Sequence, residues 1–181
     1  MSMGWRDLVI SGIYSTILVF QIVFTFFNYN KMGLDNVANV GWTIMMVSGI
    51  FGWVPILTFR KMGGVPEGRS YTNTTVLVDT GIYSIVRHPQ FLAGILISLS
   101  LVLISQHWLN LVLFVPVVVG TYIDSLNADE RLIKKFGHEY ESYIKKVPGL
   151  NFISGIIRLL RRAKRDDKVI ISYLFISLTY N

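Results

Sequence analysis

Four long apolar runs constrain this chain more than any other feature. They cover residues 8–27, 40–59, 89–105 and 108–124. About 20 apolar residues in a helix cross a hydrocarbon core of about 30 Å. The first two runs meet that length, and the last two form a tight helical hairpin. With a mean hydropathy of +0.50, the chain is predicted to be all-α: a polytopic membrane bundle of four to five transmembrane helices.

The ends of the chain add two expectations. The run at residues 8–27 is too long for the apolar part of a signal peptide, so we expect it to stay as a spanning helix. Residues 169–180 are apolar but number only about a dozen, which leaves a short fifth span or an interfacial helix open. We expect residues 1–181 to form a single membrane domain, whose oligomeric state the sequence leaves undetermined.

The basic residues predict the orientation of the bundle. With four spans and a cytosolic N-terminus, the eleven Lys and Arg residues after Ile123 all lie inside, and Lys31 is the only basic residue outside. This asymmetry follows the positive-inside rule. The helical region that follows the fourth span is therefore expected in the cytosol. The net charge of +6 suits anionic lipid headgroups better than nucleic acid, because the basic residues flank apolar helices.

A charged turn leads into the third apolar run. Arg87 and His88 precede Pro89, and proline suits the first position of a helix because it needs no backbone donor there. The free N–H groups of Gln90 and Phe91 and the Arg87 cation would then converge on one spot that suits an anion. The simpler alternative is that the two basic side chains only cap a membrane helix at the headgroup level.

Two helices are predicted after the fourth span. Residues 126–136 have helical periodicity, and a carboxylate, Asp129 or Glu130, interrupts an apolar stripe. Gly137 is expected to end this helix. A second helix begins at His138, and residues 153–165 form a basic amphipathic stretch of the kind that lies along a membrane surface. On its own, Glu130 is better explained by a solvated ion pair with Lys134, four residues later.

Several kinds of chemistry have no support in the sequence. There are no cysteines, which excludes disulfides, thiolate metal ligands and cysteine nucleophiles. The three histidines lack the spacing of a metal site, and we expect no metal. No phosphate-binding glycine loop and no Ser/His/Asp triad is evident. Taken singly, the remaining polar residues indicate only a small membrane protein with a charged cytosolic side.

The order of the motifs along the chain is more specific than any of these residues taken singly. Gly-x-Tyr-x-x-x-Arg-His-Pro-x-aromatic, then an apolar hairpin, then Asp-Glu-x-Leu and Phe-Gly-x-Glu-Tyr-x-x-Tyr with Val-Pro, resembles the isoprenylcysteine carboxyl methyltransferase family of membrane enzymes. The resemblance covers roughly residues 75–155. The family often has tyrosine where this chain has Phe91 and a Glu-Glu pair where it has Asp129 and Glu130. Lys146 stands where eukaryotic relatives have arginine.

The resemblance implies methyl transfer from S-adenosylmethionine, bound on the cytosolic side, to the carboxylate of a prenylated cysteine or a similar lipophilic acceptor that enters from the bilayer. Three residues are implied in the reaction itself: Arg87, Glu130 and Lys146. The residues implied in binding the cofactor are Tyr83, Arg87, His88, Pro89, Gln90, Phe91, Gly94, Asp129, Glu130, Tyr140, Tyr143, Pro148 and Leu150. Alanine at His88 or at Glu130 is then expected to weaken cofactor binding.

The missing triad is compatible with this chemistry. Methyl transfer to a carboxylate is a direct displacement, and a carboxylate is already ionised at neutral pH, so no general base is required. A close alternative is methylation of a phospholipid amine, which needs a base, for which Glu130 is the candidate. An alternative of another class is a non-enzymatic membrane scaffold or a transporter, which would bind no cofactor.

Overall fold

The computed structural model describes residues 4–162 and 164–165, and all regular structure in that part is helical. The helices are α1 (Trp5–Phe27), α2 (Asp35–Met62), a 3₁₀ turn (Gly81–Ser84), α3 (Pro89–Ser105), α4 (Trp108–Phe136), α5 (His138–Lys146) and α6 (residues 152–162). The predicted all-α class is confirmed for these residues. The possible fifth span at residues 169–180 lies outside them.

Three of these helices are long and apolar enough to cross a membrane: α1, α2 and α4. Helix α3 is equally apolar but has 17 residues, which gives a length of about 25 Å. It packs between α2 and α4 as a member of the bundle. The protein is thus a multi-pass membrane protein by its helices, while the predicted count of four to five spans is not confirmed.

Helix α4 is longer than the sequence predicted. The prediction ended a span at residue 124 and placed a separate helix at residues 126–136, whereas α4 runs unbroken from Trp108 to Phe136. The predicted boundary marked a change from apolar to polar side chains, and no glycine or proline lies between Thr121 and Phe136 to interrupt the backbone. Gly137 ends α4 as predicted, with a φ of 58° that side chains other than glycine rarely adopt.

Buried polar side chains join three helices inside the bundle. Gln21 of α1 donates to the Asn110 carbonyl of α4 at 3.0 Å and accepts from the Ser98 hydroxyl of α3 at 2.6 Å. The Asn110 amide donates to Thr25 at 2.7 Å and to Ser105 at 2.7 Å. Lipid tails are as apolar as the side chains on a membrane helix, so the hydrophobic effect contributes little to the association of such helices. Hydrogen bonds between the helices help to hold the bundle together instead. This network therefore fixes how α1, α3 and α4 align.

We expect Gln21→Leu to lower the stability of the bundle. The variant removes two hydrogen bonds between helices and leaves the Ser98 hydroxyl without its partner, a loss of about 1–2 kcal/mol. Thr16→Val is the matched control, because Thr16 bonds only to the Gly12 carbonyl of its own helix. Unfolding in mixed micelles measures both variants. Equal stability of the two would contradict the role given to Gln21.

Candidate functional site

A partly buried carboxylate, Asp129, joins side chains from three parts of the chain. Asp129 of α4 accepts from the Arg87 guanidinium at 2.7 Å on one oxygen. Its other oxygen accepts from His88 Nε2 at 2.7 Å and from the Tyr140 hydroxyl at 2.5 Å. Arg87 and His88 precede α3, and Tyr140 belongs to α5. The four side chains, called the Asp129 cluster below, thus connect α3, α4 and α5.

The hydrogen bonds define which atoms carry protons. An ionised carboxylate only accepts hydrogen bonds, so the proton between His88 and Asp129 lies on Nε2 of the imidazole. Burial raises the pKa of Tyr140 above its usual value, and the Asp129 carboxylate raises it further. The phenol therefore keeps its proton and remains a hydrogen-bond donor to Asp129. Three donors surround a single negative charge, which compensates for the loss of water around it.

Backbone hydrogen bonds position the basic pair. The Arg87 N–H donates to the Pro148 carbonyl at 2.9 Å, and the His88 N–H donates to the Gly149 carbonyl at 3.1 Å. The Arg87 guanidinium also donates to the carbonyls of Ile144 and Val147 at the end of α5. A guanidinium with several fixed N–H groups satisfies both the helix end and the carboxylate. The turn before α3 and the segment after α5 thus hold each other in place.

An aromatic cavity lies beside the Asp129 cluster. Its volume is about 40 Å³, and it is lined by Phe59, Thr74, Val76, Leu77, Val78, Tyr83, Arg87, Leu132, Phe136, Tyr140 and Tyr143. The rings of Phe59 and Tyr83 stack with centroids 4.5 Å apart. The Tyr143 hydroxyl donates to the Tyr83 carbonyl at 2.5 Å. Residues 74–78, called the cover segment below, form one wall of this cavity.

The structure brings most of the predicted site residues together. Pro89 is the first residue of α3, as predicted. The Phe91 ring lies 5.5 Å from the His88 ring. Gln90 donates to the Tyr71 hydroxyl at 3.2 Å, and a Cβ added at Gly94 would meet no atom within 4 Å. The predicted residues in or against the Asp129 cluster and the aromatic core are Tyr83, Arg87, His88, Asp129, Tyr140, Tyr143, Pro148 and Leu150.

Two predicted residues lie apart from this group. Glu130 and Lys146 are exposed, and no side-chain hydrogen bond to either is found in the part of the chain that the structure describes. Adjacent residues on a helix point about 100° apart, so only one of Asp129 and Glu130 can face Arg87. The anion that meets the basic pair in the structure is the protein's own Asp129. We therefore expect a substitution at Asp129, rather than Glu130→Ala, to weaken cofactor binding.

Sequence reasoning missed the cover segment and the two carbonyls that accept from Arg87. The only signal for the segment was the apolar triplet Val76-Leu77-Val78 in an otherwise polar loop. Val78 is in fact buried in the core of the site, 6% exposed. Backbone carbonyls leave no mark in a sequence, so the contacts to Ile144 and Val147 had no signal.

Comparisons with known proteins identify the family of the chain. A protein-family model described as phospholipid methyltransferase matches residues 38–137, more than half of the chain. The chain belongs to this family. The resemblance predicted from the ordered motifs is also confirmed by similar proteins, all of them named protein-S-isoprenylcysteine O-methyltransferases.

Three such proteins define the extent of the similarity. The chain is 25% identical to protein-S-isoprenylcysteine O-methyltransferase B of Arabidopsis thaliana over 128 residues, which are 65% of this chain and 61% of that protein. It is 32% identical to the Schizosaccharomyces pombe protein over 49% of this chain and 42% of that one, and 38% identical to the Saccharomyces cerevisiae protein over 43% and 34%. The alignments thus span from one third to about three fifths of these relatives. No solved structure matches the chain.

We expect Asp129→Ala to destabilise the folded protein strongly. It leaves the buried Arg87 guanidinium without its counter-charge, a loss of about 3–5 kcal/mol. Tyr140→Phe removes one hydrogen bond from the same carboxylate and is expected to lose about 1 kcal/mol. Glu130→Ala is the matched control, expected within about 0.5 kcal/mol of the unmodified protein. Thermal unfolding in detergent gives the order, and a Glu130 effect as large as that of Asp129 would contradict it.

Proposed function

We propose that the protein transfers a methyl group from S-adenosylmethionine to the carboxylate of a prenylated cysteine or of a similar membrane-embedded acceptor. The observation that carries the proposal is the Asp129 cluster, which holds a cation, a carboxylate, an imidazole and a phenol at the start of α3. The family and the names of the three relatives support it. We further propose that residues 1–181 act as one domain with the N-terminus and the site in the cytosol, as the basic residues indicate.

The donors and acceptors of the site fit the amino-acid end of the proposed cofactor. Arg87 offers a cation for a carboxylate, and its Nε is buried with no hydrogen-bond partner in the described residues. Asp129 offers a carboxylate for an ammonium group, since three donors leave room on an oxygen pair that accepts about four. When bound, S-adenosylmethionine supplies an activated methyl group on a sulfonium. Arg87, His88 and Asp129 would hold its polar end.

The aromatic cavity would have to enlarge before it could take the adenosine part. A volume of about 40 Å³ has room for about one water molecule. The cover segment is the wall most open to solvent, because Thr75 and Val76 are both exposed. Phe59, Tyr83 and Tyr143 on the opposite side provide flat apolar surfaces of the type that pack against an aromatic base. The proposal therefore includes an outward movement of the cover segment when the cofactor enters.

The charges of the site favour a carboxylate acceptor over an amine. An amine must lose a proton before methylation, which requires a base at the site. Three donors stabilise Asp129 as an ion, and a carboxylate stabilised in this way is a weak base. Glu130, the base candidate from the sequence, is exposed and makes no described contact with the cluster. A carboxylate acceptor needs only alignment with the methyl group and removal of water. Alignment alone can lower the barrier to transfer by about 7–11 kcal/mol.

Binding of S-adenosylhomocysteine, measured by calorimetry in detergent and in nanodiscs, tests the cofactor proposal. We expect saturable binding that Asp129→Asn weakens at least about tenfold, because the amide has no negative charge for the ammonium group of the cofactor or for Arg87. Glu130→Gln is the matched control and is expected to bind normally. Absence of saturable binding by the folded protein in both environments would overturn the proposed function.

The pH dependence of methyl transfer tests the acceptor. A prenylated cysteine carboxylate is ionised far below neutral pH, so with this acceptor we expect no increase in rate between about pH 7 and 9. An amine acceptor would gain rate over that range as it loses its proton. Parallel assays with a farnesylated cysteine derivative and with phosphatidylethanolamine distinguish the two. Methylation of the phospholipid alone would overturn the carboxylate assignment and leave the cofactor proposal intact.

A further inference from the structure

The start of α6 packs against the middle of a membrane helix. The Phe152 ring lies 5.7 Å from the ring of Phe51 in α2. Phe51 precedes the last residue of α2, Met62, by 11 positions, which is about 16 Å along the helix axis. Because α2 is long and apolar enough to cross the membrane, the beginning of α6 lies within the depth of the bilayer. The surface that α6 turns away from the protein therefore meets lipid rather than bulk water.

Helix α6 has one face on the protein and an apolar face directed outward. Gly155 is so close to the 3₁₀ turn that a Cβ there would lie 1.9 Å from the Ile85 carbonyl oxygen. The outward side carries Ile153, Ile157 and Leu160, which are 60%, 44% and 65% exposed. Residues spaced by four and three positions share one side of a helix. A stripe of this kind, with apolar side chains outward, is typical of helices that lie in a membrane interface.

Basic side chains accompany the apolar stripe. Residues 152–165 contain no Asp or Glu. The basic residues at the end of this stretch are all exposed: Arg161, Arg162, Lys164 and Arg165. Each Lys or Arg close to an anionic membrane surface strengthens binding severalfold. The same stretch therefore offers apolar side chains for the acyl region and cations for phosphate groups.

Helix α6 is also bonded to the turn that leads to the site. The Arg158 guanidinium donates to the Ser84 carbonyl at 2.8 Å, three residues before Arg87. Together with the contact between Gly155 and Ile85, this bond ties the position of α6 to the segment that places Arg87 and His88. A shift of α6 relative to the bilayer would act directly on that segment.

We propose that α6 is an interfacial helix that binds anionic phospholipid of the leaflet on the side of the site, with Ile153, Ile157 and Leu160 in the acyl region and Arg161 and Arg162 on the lipid phosphates. Bound anionic lipid fixes α6 against the 3₁₀ turn. The consequence for the position of Arg87 and His88 rests on the proposed function, whereas the lipid binding does not.

Single cysteines make a direct test possible, because the chain has none of its own. A fluorophore on Leu160→Cys reports on the stripe, and one on Glu67→Cys, exposed in the polar loop that follows α2, is the control. The proteins are placed in phosphatidylcholine vesicles that contain equal amounts of either brominated phosphatidylcholine or brominated phosphatidylglycerol. We expect bromolipid to quench the label at 160 but not the label at 67, which aqueous iodide quenches instead.

The lipid preference gives the second measurement. At position 160 we expect brominated phosphatidylglycerol to bind about fivefold more strongly than brominated phosphatidylcholine, and we expect added salt to weaken the preference. Arg161→Gln with Arg162→Gln should abolish it, whereas the control Arg60→Gln with Lys61→Gln at the end of α2 should retain it. Equal quenching by the two bromolipids, iodide access at 160 as at 67, or a preference that survives loss of both arginines would each overturn the proposal.

Discussion

The pairing of Arg87 with Asp129 is the interaction on which the site depends. A guanidinium and a carboxylate that are both largely removed from water need hydrogen bonds within the protein in place of that water. Asp129 accepts from Arg87, His88 and Tyr140, and Arg87 also donates to carbonyls at the end of α5. The charges thus require that the turn before α3, the far half of α4 and α5 lie together. Any ligand that binds here meets an arrangement already made by the protein itself.

The continuous helix α4 links the Asp129 cluster to the membrane-spanning part of the bundle. Asp129 lies on the same uninterrupted helix as Asn110, whose amide joins the buried network with Thr25 and Ser105. Between these two points, the Tyr14 hydroxyl of α1 donates to Asp124 at 3.0 Å. Farther along, Arg131 pairs with Asp7 near the start of α1. Polar contacts along the length of α4 fix its register against α1, so the bundle and the site are not independent units.

Periodicity and helix-ending residues predicted much of the fold. The start of α3 at Pro89 and the end of α4 at Gly137 could both be predicted, because proline and glycine act on the backbone locally. The break predicted near residue 125 was wrong, because a change from apolar to polar side chains marks a membrane boundary and does not end a helix. The choice between Asp129 and Glu130 was left open by the sequence, since their stripes on the isolated helix both carry apolar residues. That choice depends on where α3 and α5 dock, which is tertiary information.

The cover segment can move outward at a lower cost than the Asp129 cluster. Moving Arg87 away from Asp129 would leave a buried charge unpaired, a loss of about 3–5 kcal/mol. The cover segment is held by hydrogen bonds from Thr75 and Val76 to the Gly63 carbonyl, at 2.8 and 3.2 Å, and by a bond from Lys135 to the Thr74 carbonyl. Water can replace such bonds at about 1 kcal/mol each once the segment moves outward.

Apolar packing adds resistance to opening, because Val78 is buried in the core cluster of the site and Leu77 packs against that cluster. Full exposure of a valine side chain costs about 1.5–3 kcal/mol. If only residues 74–77 swing outward and Val78 stays in place as the hinge, the cost at Val78 is avoided, and opening requires the hydrogen bonds of the segment to break and Leu77 to leave its partly buried position. The path of least resistance into the aromatic cavity therefore passes between the cover segment and the end of α4, and the charged cluster stays intact while the cavity enlarges.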